Sequence, residues 1–428
     1  MVYTQLRNFI SVLVLSCISF YAHAQSNSPY SRFGIGDLLD DDNLENRGSA
    51  GASVNQVSDR KINTYNPATL SSLKITGLQF GLVGARSSMA TAKRAINVGS
   101  FNISNFVFAM PLKPNAGVAI GLQPFSRVNY GDTVGIYSPE DSGKIGISHF
   151  GGGGTQRVYG AFGYTYKNLS VGINAGYIFG GYTYSSENSF LEDTVAYSMR
   201  YINNTYVRGV HYTLGINYAA KLNKDLTLRA GAVYTPTRNL RATRDKLYTT
   251  PYLAASGLAE ATDTISGSYN EIGKVVLPGS VALGASIGKD LHWRISVDAT
   301  QSRWSNYRSY EQVDSTGDSY RLKVGWAYVP APTASNKNFW SKVEYRLGFY
   351  TGNDIYKLRG KSIRNSAFTA GLGLPFRSYR ANVGTFNCAL QVGRRGTIDD
   401  GLFRDSYTRF SFGVSLNAGD WFIKRRYD

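Results

Sequence analysis

Few groups in this chain could perform covalent chemistry. Beyond residue 24 the histidines are His149, His211 and His292, and the cysteine is Cys388. A hydrolytic site needs a histidine within hydrogen-bond reach of a nucleophile or water and of an orienting partner. His292 and Asp298 are the nearest pair in sequence, and along an extended strand they stand about 20 Å apart. Gly151 to Gly154 lack the Lys and Ser/Thr that complete a phosphate loop. One thiol excludes an internal disulfide and any zinc site built on two or four cysteines. No catalytic residue, metal site or cofactor is expected.

Charge offers binding chemistry instead. Lys and Arg number 46 against 29 Asp and Glu, a net charge of +17. Arg157, Arg294, Arg321, Lys323 and Arg346 all fall on the non-apolar face of alternating segments, and Asp298 and Glu344 share that face. Two readings stay open. The charges form an ion-pair ladder that fills an interior, or they make an electropositive wall that attracts a carboxylate headgroup. Arg238, Arg241, Arg244 and Lys246 are expected in a loop, either solvated or bound to lipopolysaccharide phosphates. A basic balance alone is only an electrostatic footprint, and nucleic acid is not expected as a partner of an exported chain.

The elements that position these groups are strands. In Val210 to Tyr234, "VHYTLGINYAAKLNKDLTLRAGAVY", Val210, Tyr212, Leu214, Ile216 and Tyr218 alternate with His211, Thr213, Gly215 and Asn217. That period of two marks a strand with one apolar face. Similar alternation predicts about fourteen strands, near 75–86, 97–110, 115–128, 155–166, 169–182, 206–219, 225–240, 276–287, 291–303, 320–330, 341–352, 365–374, 382–393 and 406–417. Each approaches the ~9–11 residues that cross a bilayer when tilted. Segment 97–110 fits least well, because Phe106, Phe108 and Met110 change face relative to Phe101 and Ile103.

Connections alternate between long (129–154, 183–205, 241–275, 304–319) and short (167–168, 220–224, 288–290), as in outer-membrane barrels. The stretch 331–340, with Pro330 and Pro332, is the one longer turn expected on the periplasmic side. A soluble sandwich would also alternate, with its apolar face inside and more Lys and Glu outside. Here the second face is largely Gly, Ala, Ser, Thr and Asn. The fold class expected is all-β: a transmembrane β-barrel of about 14 antiparallel strands with an N-terminal hatch segment.

Three regions divide the chain. Residues 1–24 read as a signal peptide, with Arg7, an apolar run from Phe9 to Phe20, and Ala22-His23-Ala24 before Gln25. Cleavage after Ala24 removes Cys17, whose context Val14-Leu15-Ser16 fits a lipoprotein signal poorly. Residues 25–74 do not alternate and carry an acidic run, Asp37, Asp40, Asp41, Asp42 and Glu45; a plug in the barrel is their expected place. Residues 75–428 form the barrel. Trp421-Phe422 read as interfacial anchors, with Lys424-Arg425-Arg426 trailing into the periplasm.

Gly48-Ser49-Ala50-Gly51-Ala52, Asp59 and Asn66-Pro67-Ala68 before strand one resemble the FadL-type long-chain fatty-acid transporters. "GGGGTQRVYGAFGYTYKNLSVGINAGYIFG" and "FSFGVSLNAGDWFIKRRYD" are similar to that family's branch in Bacteroidetes-type outer membranes. The resemblance covers nearly the whole chain after residue 24. It implies passive uptake of a hydrophobic small molecule across a lipopolysaccharide-bearing outer membrane, a hatch that includes Asn66, Pro67 and Ala68, and a lateral exit at a distorted third strand. It also implies an alternative, an accessory barrel that is a type IX secretion-system subunit. In strand three, Gln123-Pro124-Phe125 interrupts the pattern, and proline cannot donate to the ladder. Pro124 either opens the wall to lipid or ends the strand near the rim. Leu277-Pro278-Gly279 reads as a strand start. Ligand candidates on the lumen face are Arg294, Arg321 and Arg346.

Overall fold

Alternating segments close into a ring when the last can pair with the first. In the computed structural model, residues 28–39, 42–92, 95–137, 145–190, 198–253, 259–332, 338–377 and 383–418 are described. The signal peptide, the Trp421-Phe422 anchors and the basic tail lie outside them. No described helix is long and apolar enough to cross a membrane.

Fourteen antiparallel strands form the wall among the described residues. They are β1 (Thr76–Ala90), β2 (Ala95–Lys113), β3 (Ala116–Arg127, resuming as Tyr130–Tyr137), β4 (Ile145–Tyr166), β5 (Leu169–Phe190), β6 (Met199–Lys221) and β7 (Leu226–Thr235, resuming as Arg238–Leu253). The circuit continues with β8 (Ala259–Leu277, resuming as Ser280–Lys289), β9 (Trp293–Ser302), β10 (Ser319–Tyr328), β11 (Glu344–Leu358), β12 (Lys361–Arg377), β13 (Val383–Gly396) and β14 (Arg404–Ala418). Closure comes from β14 against β1, in register from Arg404 opposite Ala90 to Ala418 opposite Thr76.

The two faces follow the alternation. On β6, Val210, Leu214, Ile216 and Tyr218 are exposed on the outer surface, while His211, Thr213 and Asn217 are buried inside. On β5 the exposed apolar series runs from Leu169 to Phe179. At strand rise and barrel tilt that is a band about 25 Å tall, the height of a bilayer's apolar layer. A closed sheet leaves no edge for lipid to desolvate, which is why alternation can face hydrocarbon at all.

Several expectations need correction. The stretches read as long loops are largely strand, because the hairpins continue well beyond the apolar band: Arg238–Leu253 pairs with Ala259–Leu277, and Met199 lies opposite Asn188. His149 therefore sits in β4, its Nδ1 2.9 Å from Ser186 Oγ, and is not in a loop. Arg238, Arg241, Arg244 and Lys246 are likewise strand residues. His292 lies in the turn before β9 and Leu291 beside it has φ 67°, so neither continues the strand pattern. Val343, within the predicted segment 341–352, is buried in a short turn ahead of β11. The change of face in β2 has a local cause: Gly81 pairs with Asn105 and Leu82 with Ile103, so Ser104 is bulged out and both Phe101 and Phe106 point outward.

A candidate binding chamber and its wall

The inner face is small because something lies against it. Residues 28–39 and 42–74 lie within the barrel, from the hairpin end to the tight-turn end. At the hairpin end Tyr30 and Ile35 pack with Tyr307, Tyr356, Leu402 and other apolar residues into a buried cluster. Further down, Leu44–Ser49 contacts β11, β12 and β13, and Pro67–Ser72 contacts β4, β5 and β6. Inward glycines make room: a Cβ on Gly163 or Gly172 would strike the backbone of Pro67 and Ala68. One on Gly215 would strike Asn66 Oδ1.

Asn66 caps its short helix by accepting the Ala68 N–H at 3.1 Å. Its Nδ2 donates to Val54 O at 2.7 Å and to the β6 carbonyl of Ile216 at 3.1 Å. Asn66, Pro67 and Ala68 are thus brought together against the wall, all buried.

Ion pairs fasten the same segment. Lys323 Nζ is 2.6 Å from Asp42 Oδ1. Lys61 Nζ lies 2.5 Å from Glu344 Oε2, and Arg346 Nη2 reaches the same oxygen at 2.6 Å. At the hairpin end Arg395 Nη2 meets Asp37 at 2.9 Å, and its Nε lies 2.6 Å from Asp354 without hydrogen-bond geometry. The Arg395 guanidinium also covers the rings of Tyr30 and Tyr356 at 4.3 and 5.1 Å. Burial pushes the Tyr30 hydroxyl well above its ordinary range, with Arg395 opposing. Lys61 is lowered by burial, with Glu344 opposing. The acidic run of the sequence is the complement of the inward cations, a signal that charge matching could have read.

Between the two anchored ends lies a cavity of about 380 Å³. Arg127, Arg157, Arg321, Lys323 and Arg409 line it, against Asp37, Asp42 and Asp405. Of the three arginines singled out from sequence, Arg321 alone borders this cavity, with its guanidinium 5.2 Å from the Tyr350 ring. Arg346 is buried against Glu344 and Asn387, below the chamber. Arg294 faces inward on β9 near the tight-turn end, opposite Gly288. The three do not form one cluster.

One side of the chamber has an incomplete wall. β2 and β3 pair from Ala116 up to Leu122 opposite Phe106, and no pair is formed above that point among the described residues. Pro124 lies two residues higher, opposite Gln156 of β4, with a register shift at Phe125. It does not end the strand, which runs on to Arg127 and resumes at Tyr130. The freed edge of β3 is covered by the N-terminal segment instead. Asp37 and Leu38 pair with Arg127 and Ser126, and Leu39 N–H donates to Phe125 O at 3.1 Å. On the β2 side, Asn102 Oδ1, Ser104 Oγ and Asn105 Oδ1 are buried without a hydrogen-bond partner. Asn102, Ile103, Ser104, Pro124 and Phe125 all border the chamber. Sequence reasoning singled out Pro124 and missed the cover by Asp37–Leu39, because a two-residue β pairing leaves no periodic trace.

Solved structures share this architecture. The CymD monoaromatic hydrocarbon channel matches at TM-score 0.55 and 13% identity, over 88% of this chain and 97% of that one. A FadL homologue from Pseudomonas aeruginosa matches at TM-score 0.57 and 12% identity, over 90% and 99%. The Pseudomonas putida toluene transporter TodX matches at TM-score 0.51 and 15% identity, over 90% and 99%. At such identities the likeness is one of fold, and the FadL-type resemblance holds at that level. None of the curated proteins matches. The family model that matches is a different one, described as BamG, and it spans residues 5–428.

Proposed function

This chain belongs to the BamG family, and we propose that it is an outer-membrane barrel that passes hydrophobic or amphipathic compounds between its chamber and the bilayer. The observation that carries the reading is the β2–β3 pairing that stops at Phe106 and Leu122 beside a chamber that reaches the gap. A lipopolysaccharide-covered surface excludes apolar solutes, and a watery pore gives them no favourable path. A sideways exit lets such a molecule pass from a protein site into hydrocarbon without crossing water. The fold shared with channels named for monoaromatic hydrocarbons and toluene supports the same direction of argument.

The lining narrows the class. It combines apolar surface with polar side chains among which cations outnumber acids, so an amphipath with an anionic head suits the chamber better than a bare hydrocarbon. In this reading Pro124 keeps the wall from closing, residues 25–74 act as the hatch, and Asn66, Pro67 and Ala68 hold its lower end. Arg321 faces the headgroup, while Arg294 and Arg346 serve the ion-pair framework. The tight turns face the periplasm. No catalytic step is involved.

A second reading, an interaction barrel such as a secretion-system subunit, is favoured by one observation: the hairpin end is sealed by the packed cluster around Tyr30 and Tyr356. The experiment that separates them is uptake of labelled amphipaths by a deletion strain complemented with wild type or Pro124→Val. Slower uptake in Pro124→Val supports the wall opening. Uptake unaffected by deletion, with a partner protein retained through purification, moves the assignment to the interaction barrel.

A further inference from the structure

Three cations stand side by side on the outside of the barrel. Arg208 on β6 lies directly opposite Arg241 on β7, and Arg241 lies directly opposite Lys274 on β8. All three are exposed. Directly opposed residues bring their Cβ atoms to about 4.5–5.5 Å, where like charges destabilise a sheet. The same hairpin avoids this on its inner face, where Arg244 is set opposite Glu271 and bonded to it at 2.6 Å. On the outer face Arg208 and Arg241 make no ion pair among the described residues, and Lys274 reaches the highly exposed Glu311, at 3.3 Å.

Height completes the argument. Arg208 is paired with Phe179, the last residue of the exposed apolar series on β5. Val210, Tyr234 and Val281 continue the apolar surface below the row, and Tyr206 and Ile272 flank it. Beside the row, the Arg238 guanidinium lies 3.5 Å from the Tyr212 ring, with Nε and Nη2 lacking a hydrogen-bond partner. A set of cations at the upper rim of the apolar band, with bare hydrocarbon-facing surface beneath, matches a molecule that is polyanionic above and acylated below. Across two strand spacings the row spans about 10 Å, more than one phosphate covers.

We infer that Arg208, Arg241 and Lys274 form a binding site for an outer-leaflet acyl glycolipid bearing more than one phosphate. The site relies on the outer-membrane placement proposed above and is independent of the chamber and its ligand. Arginine's planar fork and the lysine ammonium neutralise phosphate oxygens, while the acyl chains lie along Val210, Tyr234 and Val281. From sequence Arg241 belongs to a group read as either solvated or bound to phosphate; in the fold its neighbours are Arg208 and Lys274, since Arg244 and Lys246 are occupied by Glu271.

The test uses full-length protein in detergent, titrated with bisphosphorylated lipid A, with the same lipid dephosphorylated, and with inorganic pyrophosphate. Wild type is expected to bind the phosphorylated lipid at least tenfold more tightly than either control. The triple variant Arg208→Gln/Arg241→Gln/Lys274→Gln is expected to lose that preference, and Arg208→Lys/Arg241→Lys to keep most of it. Without lipid the triple Gln variant is expected to melt higher than wild type, since repulsion is gone; with lipid the order reverses. Heat-modifiable migration on gels verifies folding of each variant. Equal binding by wild type and the triple Gln variant overturns the site, as does pyrophosphate binding as tightly as lipid. Membrane fractionation tells the two failures apart: a chain absent from the outer membrane fails on placement, whereas one present there with equal binding fails on the site alone.

Discussion

Asp298 on β9 holds the backbone of Ser53 in the barrel interior: its Oδ2 accepts the Ser53 N–H at 2.7 Å, and the Val54 N–H at 2.9 Å. Wall and interior segment are joined there by a charged acceptor that is itself 2% exposed. Asp298→Ala leaves two buried N–H groups without an acceptor, each costing about 1–3 kcal/mol. Asp298→Asn keeps an oxygen in place. Protease cleavage within residues 42–74 is expected to quicken at least tenfold in the Ala variant and little in the Asn variant. Equal cleavage of wild type and Asp298→Ala would remove the clamp from the account.

Gly215 is expected to be intolerant of any side chain. A methyl there meets Asn66 Oδ1, whereas one on Gly152 meets nothing within 4 Å. Overpacking of this kind costs about 1–3 kcal/mol. Gly215→Ala should lower the thermal midpoint in detergent and expose the interior segment to protease, with Gly152→Ala as the control. If the two variants behave alike, the glycines are not there to seat the segment.

Two deletions test the bulge in β2. Removing Ser104 leaves Phe101, Ile103, Phe106 and Phe108 in unbroken alternation on the lipid face, with the pairing to Gly81 and Leu82 unchanged, so the heat-modifiable barrel form is expected to persist. Removing Val107 makes Phe106 and Phe108 neighbours, and one of them must turn inward. A large apolar side chain taken from lipid into the polar interior forfeits about 1.5–3 kcal/mol, and that deletion is expected to abolish the heat-modifiable form. Normal assembly without Val107 would mean that the register between β1 and β2 is free to slip.

Lys61 gives a pH signature. Burial lowers its pKa below the ordinary 10.5, with Glu344 opposing. Between the folded value and 10.5 the unfolded chain binds more protons, so stability from this group rises with pH across that window. Solvent reaches a quarter of the side chain, so the slope is expected to be shallow. The thermal midpoint of wild type relative to Lys61→Met should climb as pH rises towards 10.5 and then level off. A difference that falls over the same range contradicts a lysine buried in its charged form.

Much of the wall was legible along the chain. Alternation in Val210–Tyr218 or Phe410–Leu416 fixes which side chains share a face, because successive side chains on a strand point opposite ways whatever the partner. Fourteen such segments imply a closed sheet, since an open edge in hydrocarbon leaves backbone groups unsatisfied. The acidic run and the inward cations already contained the interior ion pairs, though not their matching.

Partnership across the ring was decided only by the tertiary structure. Arg321 and Arg346 occupy equivalent faces in sequence, yet one borders the chamber and the other is locked to Glu344, because the interior segment fills the barrel unevenly. The change of face in β2 showed in the sequence, but the cover that Asp37 and Leu38 give to β3 and the row from Arg208 to Lys274 depend on register between strands. Register follows from closure and stagger of the whole sheet, and neither has a local sequence period.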